Sequence, residues 1–178
     1  MTYFMLANGF EEAEALVPFD ILTRCGIDCS LVSFEDSNVV TGSHRIKVIT
    51  DLMIDDLNLS DAECIVFPGG GLGTENLDKN HHTDKILKEA TERGLLIGAI
   101  CAAPSILGKR GYLKELRATC YPGFEKYLIG CDVSSDRVVC TPNIITAKGA
   151  GAAYDFGYAL ASRLKDDTTA AEVIRKIY

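Results

Sequence analysis

The stretch "GLLIGAICAAPSILGKRGYL", residues 94–113, puts a cysteine where a packed interior would not require one. The apolar run "LLIGAI" reads as a buried strand ending at Ile100, and the pattern that follows predicts a helix from about Ala103. Cys101 therefore lies in a tight strand-to-helix turn, with its thiol held up at the edge of a sheet. A nucleophile held this way needs small neighbours, because the backbone there is strained. Ala102 and Ala103 are small. The following helix N-terminus offers positive potential and unpaired N–H groups, both of which favour a thiolate. Cys101 is thus predicted to be acidic and reactive. Taken alone, the stretch suits a packed cysteine equally well.

Outward from this turn, short β-rich runs alternate with helical patterns, the signature of βαβ units and a parallel sheet. "TYFML" (2–6) is the first strand, followed by a helix over about 11–25 that ends at Gly26. "DCSLVSF" (28–34) is the second strand, and "NVVTGSHRIKVITD" (38–51) reads as a hairpin at one side of the sheet. "ECIVFP" is a strand, "TDKILKEATERG" a helix and "LLIGAI" a strand. After the 103–109 helix come a strand in "RATCY", a short helix in "GFEKYLIG" and the strand pair "RVVCT" and "NIITAKG". The helices "AAYDFGYALASRL" and "TTAAEVIRKIY" close the chain, the second with Asp167 or Thr168 as its cap. The expected fold is a doubly wound three-layer α/β/α sandwich with a mostly parallel central sheet. Ligands of such sheets bind outside the carboxyl ends of the central strands. That directs attention to 7–9, 68–73 and Cys101.

Composition narrows the function classes. With 47 % hydrophobic and 24 % charged residues, the 178-residue chain has the balance of a folded globular protein. A formal charge of −7 argues against nucleic acid and anionic membranes as partners. The longest apolar stretch falls far short of the roughly 20 residues a bilayer requires, and no signal peptide is recognisable, so a cytoplasmic protein is expected. Seven cysteines make an odd count without C-x-x-C pairs, which argues against a disulfide framework and against a zinc site. Cys64, Cys120 and Cys140 are expected to pack as small hydrophobes. Neither metal nor cofactor is expected.

Two further stretches support Cys101. In "NGFEEAEALVPFD" (8–20), Glu11 and Glu12 open a helix and are expected to be solvated. Glu14 lies among apolar residues, and Pro18, four positions on, has no N–H for the Glu14 carbonyl, so a kink is expected there. The reading places Glu14 in the crevice over Cys101, with a raised pKa, keeping its proton and donating a hydrogen bond to a thiolate. In "VFPGGGLGTENL" (66–77), Gly69, Gly70 and Gly71 allow a tight turn and close approach to a ligand. The loop matches neither phosphate-binding glycine motif, so nucleotide binding is disfavoured. The N–H groups of Gly70 and Ala102 are instead expected to converge on an oxygen bound beside Cys101.

Together "GFEEAEALVPFD", "VFPGGGLGTENL" and "GAICAAPSIL", with "TGSH" (41–44) and "AKGAGAAYDFGYAL" (147–160), closely resemble the ThiJ/PfpI (DJ-1/PfpI) superfamily, most nearly its DJ-1-like branch. The resemblance covers nearly the whole chain and implies one such domain over 1–178, a flavodoxin-like sandwich and a cytoplasmic homodimer. It also implies a Cys101 nucleophile hydrogen-bonded by a protonated Glu14. The dimer surface it suggests is the first helix with the "TGSH" hairpin.

Three departures matter. Ala102 follows the cysteine where the peptidase-named branch has histidine, and no histidine follows His82, so neither a Cys-His peptidase nor an amidotransferase is supported. "CYPGFE" puts Tyr121 where the DJ-1-like branch often has a pocket histidine, and His44 stands where the family often has arginine or histidine near the pocket. The implied activity is that of a glutathione-independent glyoxalase or deglycase, with a small methylglyoxal-type aldehyde or a glycated protein as partner. The alternative is a redox-sensing stress protein or chaperone in which Cys101 is oxidised to the sulfinate.

Overall fold

The computed structural model describes residues 1–177. In chain order its regular elements are β1 (Thr2–Leu6), α1 (Glu12–Arg24), β2 (Cys29–Ser33), β3 (Val39–Thr41), β4 (Lys47–Ile49), β5 (Leu52–Met53), β6 (Cys64–Phe67), α2 (Gly71–Lys79) and α3 (His82–Glu92). They continue with β7 (Leu96–Ile100), α4 (Pro104–Lys109), β8 (Arg117–Ala118), β9 (Asp132–Val133), β10 (Val138–Cys140), β11 (Ile144–Ala147), α5 (Ala153–Leu164) and α6 (Asp167–Ile177). Tyr178, the last residue assigned to the final helix from sequence, lies outside the described residues.

Side chains alternate along the central strands, and both faces are apolar. In β1, Tyr3 and Met5 enter the core beneath α2, α3 and α4, while Phe4 and Leu6 enter the core beneath α1, α5 and α6. In β7, Ile97 and Ala99 face the first core and Leu96 and Ile100 the second. A strand buried on both sides needs helices above and below, which is what parallel crossovers supply. The sheet order is β10-β11-β7-β6-β1-β2-β5, with every pair parallel except β10 against β11. The expected three-layer α/β/α sandwich is therefore present. Strand order reverses at β1, from which the chain first passes to β2 and later returns on the other side as β6. A crevice opens at such a reversal, beyond the carboxyl ends of β1, β6 and β7.

Several local expectations are corrected. The β3–β4 hairpin pairs with itself and not with the main sheet, whose edge is the two-residue β5. Helix α2, which opens at Gly71, was not foreseen because its two glycines, Gly71 and Gly73, mask helical propensity. The segment "GFEKYLIG" forms only a 3-10 turn, Glu125–Tyr127. The cap of α6 is Asp166, whose Oδ1 accepts the Thr169 N–H at 2.7 Å, and not Asp167 or Thr168. Cys140 is exposed on edge strand β10, whereas Cys64 and Cys120 are buried as expected.

Candidate active site

Cys101 follows the last residue of β7, and its backbone takes φ 65°, the left-handed region. For an L-residue with a side chain this conformation costs about 1–2 kcal/mol, so its surroundings must impose it. They do so from both sides. The Cys101 N–H donates to the Ala147 carbonyl at the end of β11, and its own carbonyl accepts the Tyr121 N–H, both at 2.8 Å. Ala102 and Ala103 are buried directly behind it. Pro104, at the first position of α4, needs no N–H partner.

Glu14 comes from the first turn of α1 and is only 1 % exposed. Helix α1 runs through Pro18 without interruption from Glu12 to Arg24. The Glu14 carboxyl interacts with the Cys101 side chain, its Oε2 accepts the Gly69 N–H at 2.9 Å, and the Ala150 N–H supplies another bond. Gly69 makes the meeting possible. A Cβ at that position would collide with Glu14 Oε2 and come within 2.6 Å of Cys101 Cβ. Gly70 takes φ 89°, and a Cβ there would strike the Gly9 carbonyl. This turn aims the Gly70 N–H at the Cys101 sulfur, which also receives the Ala102 N–H. Gly71 is exposed, with open space where a side chain would stand.

Burial is the main cause that raises the Glu14 carboxyl to about 7; the charge of Glu11 adds to it, and the bonds from Cys101, Gly69 and Ala150 oppose it. The thiol does not meet the sequence expectation of acidity. Burial first, and then the charge and hydrogen bond of Glu14, push Cys101 up to about 12 against the lowering pull of the Gly70 and Ala102 N–H groups. Both contributions from Glu14 require it to be ionised. Between about 7 and about 12 the two side chains together hold one proton and one negative charge, and they titrate as a pair. These directions put the negative charge on the Glu14 carboxyl and the proton on the Cys101 sulfur.

His44 is placed elsewhere. Its Nδ1 lies 2.8 Å from Glu12 Oε2 and 3.1 Å from Ser43 Oγ, and its N–H donates to Glu12 Oε1 at 2.7 Å. The imidazole is raised by these bonds and by the charges of Glu11 and Glu12. Glu12 is 6 % exposed, which corrects the expectation of a solvated side chain. Burial would raise its carboxyl, but the bonds from His44, Ser43 and the backbone overcome this and hold it at about 2. Glu11, Glu12 and His44 offer ligand atoms within 4.8 Å of one another, but both Glu12 oxygens are already engaged in this clamp.

Tyr121 is half exposed, and its ring lies against Gly149, 3.3 Å from where a Cβ would stand. With Lys148 and Ala150 it lines a cavity of about 290 Å³. Sequence reasoning missed Lys148 and Ala150 as parts of the site. Their signal was the second glycine-bearing segment after a strand, "AKGAG", the same pattern that marked Gly69–Gly71.

Among the described residues no helix is long and apolar enough to cross a membrane. A protein-family model described as DJ-1/PfpI family matches residues 2–163. "Protein DJ-1 homolog B" of Arabidopsis thaliana is 35% identical over 170 residues, covering 94% of this chain and 39% of that protein, so the chain spans about two fifths of that relative's length. "Deglycase PfpI" of Pyrococcus furiosus is 32% identical over 153 residues, covering 85% of this chain and 91% of that protein. The solved structure of oxidised Toxoplasma gondii DJ-1 superposes with a TM-score of 0.94 at 29% identity, covering 99% of this chain and 96% of that one.

Proposed function

The chain belongs to the DJ-1/PfpI family, and from that premise we propose that it is a glutathione-independent glyoxalase or deglycase acting on methylglyoxal-type aldehydes. Cys101 is the nucleophile and Glu14 its acid and base. The observation that carries this reading is a carboxyl only 1 % exposed set against a cysteine held in a left-handed turn, the two meeting across Gly69, where a Cβ would strike both.

Glu14 takes the thiol proton as the sulfur attacks the aldehyde carbon and the carbonyl electron pair moves to oxygen. The Gly70 and Ala102 N–H groups stabilise that oxyanion until Glu14 protonates it to a hemithioacetal. Glu14, now ionised, takes the proton from the former aldehyde carbon and returns it to the neighbouring carbon, leaving a 2-hydroxy thioester. Water then releases the 2-hydroxy acid and restores the thiol. One carbon is oxidised and its neighbour reduced, so no outside oxidant or reductant is consumed.

Lactate release from methylglyoxal tests the mechanism. Cys101→Ser and Glu14→Gln should each lose at least about 100-fold in kcat, and wild-type kcat/KM should rise with a midpoint near pH 7. An unchanged rate in either variant would overturn it.

A second reading is favoured by the oxidised form in which the Toxoplasma relative was solved. Two equivalents of peroxide convert the Cys101 thiolate to a sulfinate and two waters, and the N–H groups around the sulfur suit those oxygens. In either reading the protein works in the cytoplasm as a homodimer. The exposed Val39, Ile46 and Ile49 on the β3–β4 hairpin support that assembly.

A further inference from the structure

We propose that the cavity beside Cys101 is a subsite for a carboxylate, so that the preferred substrate is an α-oxoaldehyde carrying a negative charge at its far end. This rests on the reading of Cys101 and Glu14 as the reacting pair.

Neither Cys101 nor Glu14 lines the cavity, but two of its wall residues bond them. Ala150, on its wall, bonds Glu14 through its N–H, and the Tyr121 N–H bonds the Cys101 carbonyl. Its volume, about 290 Å³, lies near the lower end for small-molecule pockets. At about 30 Å³ for a water-sized unit, the five heavy atoms of methylglyoxal leave roughly half of it unfilled. A longer substrate fits.

The wall also carries two cations, Arg137 and Lys148. Arg137 is neutralised, since its Nε meets Asp155 Oδ2 at 2.7 Å and its terminal nitrogen donates to the Gly151 carbonyl. Lys148 differs. Its ammonium, exposed at the surface, donates to the Ser135 carbonyl at 3.2 Å and, among the described residues, has no carboxylate partner. Glu125, in the adjoining hollow, is turned to the Gly123 N–H at 2.7 Å. In a chain of net charge −7, a lysine on the wall of this cavity whose ammonium has no acidic partner is a receptor for an incoming anion. A cationic substrate side chain would be repelled there.

The test compares two probes of equal length, 4,5-dioxopentanoate and its neutral amide, both α-oxoaldehydes. Wild type should favour the carboxylate at least tenfold in kcat/KM, through KM, with the preference shrinking as salt rises. Lys148→Met should bring the ratio to about one, and Lys148→Arg should keep it well above one. Equal efficiency for both probes in wild type, or a preference that survives in a folded Lys148→Met protein, would overturn the inference while leaving the thiol mechanism intact. Turnover of neither probe nor methylglyoxal would overturn both.

Discussion

At the scale of single residues, space around Gly69 decides whether Glu14 and Cys101 can meet. A Cβ there would fall between the Glu14 carboxyl and the Cys101 side chain. Gly69→Ala should therefore cost about 1–3 kcal/mol of stability through overpacking and about 100-fold in kcat/KM through displacement of the pair. Denaturant unfolding and methylglyoxal kinetics on the same protein check both; full activity would show that the two side chains meet some other way. Cys101 and Glu14 were readable from sequence because each depends on near neighbours, one on the turn after β7 and the other on an apolar helix face. The fate of Glu12 was not readable, because the groups that bury and bond it, Ser43 and His44, come from 31 and 32 residues away. The thiol's rise to about 12 was equally hidden, since it comes from enclosure by three separate segments and from the charge of one neighbour.

At the scale of elements, the strands announced themselves where both faces are buried. β1, β6 and β7 are buried at every position and almost wholly apolar, and that is why they could be read. Two-residue ladders such as β5 and β9 carry too little pattern to show a period. The cap of α6 was missed by one position. Asp166 accepts the Thr169 N–H through Oδ1 and the Thr169 hydroxyl through Oδ2 at 2.8 Å, while Asp167 turns to Tyr158 and Ser162. Asp166→Ala should thus cost about 1 kcal/mol and lower the melting temperature by about 2–4 °C. Asp167→Ala, measured beside it by calorimetry, should leave the cap intact; a larger loss from Asp167→Ala would return that role to Asp167.

For the whole molecule, three groups shape the dependence of stability on pH. Glu14 has a folded pKa raised to about 7, so its contribution is complete below its ordinary 4.5 and is lost as pH climbs through about 7. Glu12, held at about 2, contributes above 4.5 and loses that contribution as pH falls through about 2. His44, raised by its acidic partners, contributes below 6.5 and loses that contribution as pH rises beyond it. Together they set an optimum near pH 5. Glu14→Gln should flatten the decline between pH 4.5 and 7, by about 3 kcal/mol. Urea titrations at pH 5 and pH 8 check this, and parallel wild-type and variant curves would count against a buried, titrating carboxyl. The elbow at Cys101 carries a different lesson. Its backbone is tied to Ala147 on one side and Tyr121 on the other, in a conformation with no alternative nearby. The sulfur is consequently an anvil and not an arm: in the proposed reaction it is the incoming carbonyl that must do the aligning.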